Sequence, residues 1–350
     1  MVTIKDISKK CGVSSATVSK ALNGYPDISE ETIELIRNAA RDMGYLPNAT
    51  ARALKTNRSY NLGVLFIDKT QSGLAHEYFS SVLNSFKVQA EALGYDITFI
   101  SQNIGQFQMT YYEHCRYRKC DGAVIASVNF NDPAVIEMVR SDIPTVTIDH
   151  VFNNRTAIIS DNVQGVADLV RYLTDRGHRK IAFIHGEDTS VTQNRLASFY
   201  KTCADAGIDV PDEYVRSAIY HDPKSSAQAT RELLALADRP TCIMFPDDFS
   251  FIGGMNEIEK AGLVIPRDIS VVGYDGIYLS QVLRPKLTTL RQDTETLGRE
   301  AASKLVQAVE KPKMFYPQQI LVPGHILEGT SVRDLFESKE TLSLGRTGTV

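Results

Sequence analysis

Acidic side chains recur at one kind of place in this 350-residue chain. Asp68 follows the run LGVLFI, Asp149 follows PTVTI, Asp247 and Asp248 follow TCIMFP, Asp275 follows ISVVGY, and Ser127 follows GAVIA. Those runs are rich in β-branched and aromatic residues and mostly bounded by Gly, Pro or Asp, which predicts strands. Carboxylates at strand ends accept hydrogen bonds from hydroxyl groups, often two at a time. Nothing nearby supplies the cluster of Lys and Arg that a polyphosphate would need. For Asp68, Asp247 and Asp248, capping of the next helix is an equally good use of the same side chain. The pair Asp247-Asp248 invites comparison with hydrolytic carboxylates. Adjacent residues on one backbone point differently, however, and no Ser/His/Asp nucleophile set, phosphate loop or metal signature accompanies them, so no enzyme and no cofactor is expected. His114-Cys115 near Cys120 matches no common zinc spacing and reads as a helix end leading into a strand.

A second set of chemistry-bearing residues lies near the N-terminus. The segment TIKDISKKC places Ile4, Ile7 and Ser8 on one helical face, and Gly12-Val13-Ser14 breaks that helix and caps another. In the next helix, SSATVSKALN, Val18 and Leu22 turn inward, so Ser15, Ala16, Ser19 and Lys20 look outward. A third amphipathic helix follows, with Ile33, Ile36, Ala40 and Met43 inward. Two short helices joined by a Gly-containing turn and backed by a third predict a helix-turn-helix headpiece. Charge points the same way. The first 60 residues carry nine Lys/Arg against six acids, and the remainder carries 29 against 36. A basic head on an acidic body suits a phosphate-binding module joined to a different one. Ser15, Ala16 and Lys20 are then the expected readers of base edges, while Ser14, Thr17, Ser19, Asn23 and Tyr45 are expected to anchor phosphates.

These elements must be carried by a chain long enough for two to three domains, of which 43% is hydrophobic and 23% charged. Beyond about Tyr60, apolar runs alternate with helical stretches, which predicts an α/β body with parallel sheets covered on both faces. Ligands of such sheets sit beyond the strand C-termini, which is where the acids fall. No run approaches the ~20 apolar residues of a membrane span. The start, MVTIKDISKK, lacks a signal-peptide core, and five scattered cysteines suggest reduced thiols, so a cytoplasmic location is expected.

The segments TIKDISKKCGVSSATVSKALNG, ISEETIELI and GYLPNATARALKTNRS resemble the headpiece and hinge of the lactose-repressor (LacI/GalR) family of bacterial transcription regulators. Further matches are DNVQGVADLVRYLTDRGHRKIAFIHG (161–186), AGLVIPRDISVVGYDG (261–276) and RPKLTTLRQD (284–293). The resemblance implies a periplasmic-binding-protein-like core of two doubly wound lobes behind the headpiece. The expected organisation is a headpiece at 1–46, a hinge helix and linker at 47–59 and a core at 60–338. Lobe 1 is expected at 60–160 plus 290–320 and lobe 2 at 161–289 plus 321–338, before a disordered tail at 339–350. It further implies that Asn48, Arg52 and Leu54 of the hinge meet DNA, with Leu54 wedged into the minor groove. NRLASFY matches the segment whose arginine, here Arg195, enters the effector cleft, and GYDG the segment whose aspartate, here Asp275, grips the effector. Tyr78, Phe79, Tyr220 and His221 fall near pocket positions. Effector binding would shift operator affinity, and release by a sugar-like inducer is expected, with corepression as the alternative.

Three departures from the family pattern concern the ligand. The loop DKTQSGLAHEYF is longer than usual, Pro246-Asp247-Asp248 replaces a more common Asn-Asp, and His221 stands where an aromatic is common. One headpiece reads half a site, so a homodimer on a pseudo-palindromic DNA operator is expected. The polar tail SKETLSLGRTGTV lacks the leucine repeat of tetrameric relatives.

Overall fold

The computed structural model describes residues 2–46, 53, 56, 58–67 and 73–336. Asn48, Arg52, Leu54 and Asp68, with most of the expected hinge helix and the tail, lie outside the described residues. The chain divides into two compact units, Met1–Ser59 and Tyr60–Val350.

Among the described residues, the first unit holds the helices α1 (Ile4–Cys11), α2 (Ser15–Leu22) and α3 (Glu30–Asp42). Asp6 accepts the Thr3 N–H at 2.9 Å, which fixes the start of α1, and Gly12, at φ 67°, ends it in the left-handed conformation that glycine adopts without steric cost. Ser14 Oγ accepts the Thr17 N–H at 3.0 Å and caps α2. Ile7, Val18, Ala21 and Ile36 are completely buried, with Ala39 and Ala40 nearly so. Full burial of an Ile or Val side chain stabilises by about 1.5–3 kcal/mol, and these few residues hold the unit together. On α2, Val18 and Ala21 are fully buried, and Leu22 packs against the same core while half-buried.

In the second unit, the first lobe opens with β1 (Asn61–Phe66), α4 (Glu77–Ala92), β2 (Asp96–Phe99) and a hairpin of β3 (Asn103–Ile104) and β4 (Phe107–Gln108). It continues with α5 (Tyr111–Tyr117), β5 (Gly122–Ala126), α6 (Pro133–Arg140), β6 (Thr145–Ile148) and β7 (Thr156–Ser160). The second lobe follows: α7 (Asn162–Thr174), β8 (Ile181–His185), α8 (Ser190–Asp205), β9 (Val215–Ser217), α9 (Pro223–Leu234), β10 (Cys242–Met244), α10 (Phe251–Lys260), β11 (Ser270–Asp275), α11 (Tyr278–Val282) and β12 (Thr288–Arg291). The chain then returns through α12 (Thr294–Glu310) and β13 (Gln319–Val322) and ends with β14 (His325–Leu327).

Each lobe is a six-stranded sheet with helices on both faces. The order β13-β7-β6-β5-β1-β2 is parallel throughout. The order β14-β12-β11-β10-β8-β9 is parallel except where β14 runs against β12. Residues of β1 alternate between faces: Leu62 and Val64 enter the core beneath α4 and α12, and Leu65 enters that beneath α5 and α6. The helix pair α4 and α12 packs closely because residue 298 is Gly. A Cβ there would lie 2.2 Å from the Val82 carbonyl oxygen.

The chain passes between sheets at three places: after Ser160, after Arg291 and after Val322. The last two fall one or two residues beyond the expected 290 and 321. The first and third crossings touch, Asp161 donating its N–H to the Val322 carbonyl at 2.9 Å. Because both sheets are wound this way, their strand C-termini meet across a cleft.

Candidate functional site

That cleft holds a cavity of about 470 Å³. The first lobe lines it with residues just past β5 and β6: Ser127, Asn129, Phe130, Asp149 and His150, joined by His76, Tyr78 and Phe79 near the start of α4. The second lobe contributes Glu187, Asp188, Ser190, Arg195, Tyr220, His221, Asp247 and Asp275, and the second crossing contributes Gln292.

Among the described residues, six that are not glycine have positive φ, and Ser127, Asp149, His221 and Asp275 are four of them. Sharp turns of this kind aim a side chain back over the end of its own sheet, and they persist only where the surroundings hold them. Hydrogen bonds do so here. Asp149 accepts from the Ser160 N–H at 2.8 Å and the Tyr78 hydroxyl at 3.0 Å. Asp275 accepts from Gln292 Nε2 at 2.6 Å, while its carbonyl accepts the Gln292 N–H at 3.2 Å.

Arg195 lies on α8 with its guanidinium stacked on the Tyr274 ring, 3.5 Å from the ring centre. Its Nε donates to Asn162 Oδ1 at 2.7 Å and Nη1 to the Pro246 carbonyl at 2.9 Å. Burial works against its charge, and Tyr220, Tyr274, Asp275 and Asp149 more than offset it, leaving the group firmly protonated. Two sides of the planar fork are thus held by the protein, and Nη2 takes no hydrogen-bond partner among the described residues.

Burial pushes the Asp275 carboxyl up to about 8, with Asp247 adding to the shift and Arg195 opposing it. The Asp149 carboxyl is also raised, first by burial, against the hydrogen bonds from Ser160 and Tyr78. Asp247 lines the cavity and also organises its floor, accepting from the Ser250 N–H (2.7 Å), the Ser250 hydroxyl (2.7 Å) and the His221 N–H (2.8 Å). Capping and cavity lining therefore coexist at Asp247.

Asp248 does neither and is a correction to the sequence reading. It is fully buried behind the cavity, accepting from the Thr289 hydroxyl at 2.6 Å and the Ile277 N–H at 3.0 Å. Being next to Asp247 on the backbone, it points to the other side of the strand end and ties β12 to the start of α11. Residue 273 must be Gly to admit it, since a Cβ there would lie 2.1 Å from Asp248 Oδ1.

Aromatic rings form two walls. His76 stacks on His221 with 3.9 Å between centres, and His221 stacks on Phe249 at 4.1 Å, so a first-lobe ring and two second-lobe rings form one pile. On the other side Phe130 stacks on His150 at 4.1 Å. Tyr220 lies flat over Gly186, where a Cβ would come within 2.0 Å of its ring, and exchanges a 2.8 Å hydrogen bond with Thr192. Sequence reasoning missed His76, Phe130, His150, Glu187, Asp188 and Gln292. Phe130, His150, Glu187 and Asp188 stand past the first residue after their strands, His76 precedes α4, and Gln292 follows β12, a strand the apolar runs did not reveal.

In the headpiece, Ser14, Ser15, Ala16, Lys20 and Asn23 are exposed, and Thr17, Ser19 and Tyr45 are half-buried. Lys20 pairs with Asp27, and Asn23 Nδ2 donates to the Ser19 carbonyl at 2.6 Å.

Residues 3–48 match the model for bacterial regulatory proteins of the lacI family, and residues 170–332 match that for a periplasmic binding protein-like domain. The Bacillus subtilis protein named "Probable HTH-type transcriptional repressor ExuR" is 32% identical over 339 residues, covering 96% of this chain and 99% of the relative. The transcriptional repressor PurR of Pectobacterium atrosepticum is 32% identical over 342 residues, 95% of this chain and 98% of its own. A crystal structure of the lac repressor dimer bound to operator and the anti-inducer ONPF superposes with a TM-score of 0.76 at 26% identity, covering 95% of this chain and 99% of that one.

Proposed function

The chain belongs to the lacI family of bacterial regulatory proteins as a transcriptional repressor, and from that premise we propose that a sugar-like effector in the interlobe cavity releases it from a pseudo-palindromic operator. The observation that carries the effector half is the meeting of Asp149, Arg195 and Asp275 in one cavity at the strand ends of both lobes. Paired acceptors facing a single charged donor suit vicinal hydroxyls, and Tyr220, Phe79 and Phe130 supply flat faces for the apolar side of a ring. The DNA half rests on the exposed row Ser15, Ala16 and Lys20, with Ser14, Thr17, Ser19, Asn23 and Tyr45 placed to anchor phosphates. Asn48, Arg52 and Leu54 toward DNA, and Asp68 toward the effector, complete the proposed contacts. The functional species is a homodimer, since one headpiece reads half of a two-fold site.

Titration of candidate sugars into the full chain bound to a fluorescent operator tests both halves. Binding is expected to weaken steeply with salt and to be lost when an effector is added. Tightening on addition would reverse the sign to corepression, and salt-insensitive binding without sequence preference would overturn the regulatory reading. Sedimentation is expected to give about twice the 38.8 kDa chain mass.

A further inference from the structure

From the balance of charge and hydrogen-bonding groups around the cavity we infer that the effector carries no carboxylate or phosphate: it is an uncharged or amine-bearing polyhydroxylated ring. This rests on the reading of the cavity as a sugar site and deepens it. Among the described residues, five acidic side chains line the cavity, Asp149, Glu187, Asp188, Asp247 and Asp275, against one guanidinium, Arg195, and no lysine. That guanidinium already spends its Nε N–H on Asn162 and one Nη1 N–H on the Pro246 carbonyl, so a side-on grip through Nε is closed to a ligand. Three of its five N–H groups remain, two on Nη2 and one on Nη1, so a single cation stands against the acids around it.

The imidazoles do not redress the balance. Burial lowers the His150 pKa, keeping that ring neutral near pH 7. His76 and His221 lie face to face at 3.9 Å, a separation at which two positive rings repel. Gln292 sharpens the case. Its Nε2 is committed to Asp275, and its Oε1 is buried without a hydrogen-bond partner beside the cavity. The wall therefore offers surplus acceptors, which hydroxyl or ammonium donors satisfy and an anion does not. Burial raises both Asp275 and Asp149, and Asp247 adds to the shift at Asp275, so the same surroundings oppose a further negative charge.

The test is a thermal-shift titration of the full chain with matched rings: glucose, glucosamine and glucuronate, then galactose, galactosamine and galacturonate, then the corresponding disaccharides. A neutral or amine-bearing ring is expected to raise the melting temperature, with its uronate counterpart bound at least tenfold more weakly. In Asp188→Asn, which keeps the acceptor for Gln193 Nε2 at an exposed rim position, the gap between uronate and neutral ring should narrow several-fold. A uronate that binds as well as its neutral counterpart, or a gap unchanged in the variant, overturns the inference and leaves the sugar reading standing. If no ring of any charge shifts the melting temperature, the sugar reading itself fails.

Discussion

The headpiece and the cleft hold their working side chains in opposite ways. In the headpiece, Ser15, Ala16 and Lys20 stand in solvent, and the bonds around them are local: Ser14 to Thr17, Asn23 to Ser19, Lys20 to Asp27. In the cleft, Arg195 and Gln292 are buried, and the partners come from far along the chain: Asn162 for Arg195, Ser160 and Tyr78 for Asp149. A surface that meets a stiff polymer needs a rigid frame and free side chains, and Ile7, Val18 and Ile36 supply the frame. A site that encloses a small molecule must fix each polar group in advance, since an unmet hydrogen bond inside it is costly.

The largest effect that would sharpen this contrast is Val18→Asp. A charge in the headpiece core should unfold that unit and abolish operator binding, while the core keeps its melting transition and its effector-induced shift. A common loss of both by calorimetry would break the idea of separable frames. Next is Gly186→Ala, whose methyl group must displace the Tyr220 ring into the cavity. Effector affinity is expected to fall ~100-fold, with operator binding in the absence of effector retained.

A third prediction concerns pH. Because the folded Asp275 pKa is raised from 3.8 to about 8, the native state holds a proton that the unfolded chain has lost between those values. Its contribution to the stability of the unliganded core should thus be greatest below about pH 4 and decline as pH rises toward 8. Asp149 acts in the same direction. Denaturant midpoints measured from pH 5 to 8 should flatten in Asp275→Asn, and an unchanged slope would count against the buried carboxyl as its source. The smallest effect is Ser14→Ala, which removes the α2 cap and should cost the headpiece about 1 kcal/mol, readable as a lower headpiece melting temperature.

The two regions also differed in how far they could be read from sequence. Helix periodicity found Ile7, Val18, Ile36 and Ala40, because the inward face of a short helix is specified by local spacing; it passed over the small Ala21 and Ala39, which are buried like their larger neighbours. In the core, the strand-end rule reached Ser127, Asp149 and Asp275, since a parallel sheet dictates where its chain emerges. It did not reach Phe130 or Glu187, which stand two or more residues past their strands, nor Gln292, whose strand β12 was not recognised. Nor could it separate Asp247 from Asp248, identical in type and adjacent in sequence. The distinction lies in Thr289 and the Ile277 amide, about 30 or more residues away in the chain. Short strands such as β9 and β12 escaped for a similar reason, being defined by partners more than by composition.

The three crossings between the sheets have a mechanical consequence. Links at Ser160–Asn162, Arg291–Thr294 and Val322–His325 leave the two halves little freedom except a change of angle about the links themselves. Asn162 and Gln292, which steady Arg195 and Asp275, sit within two of those links. A substitution at either pivot residue is therefore expected to alter ligand affinity and the angle between the lobes together.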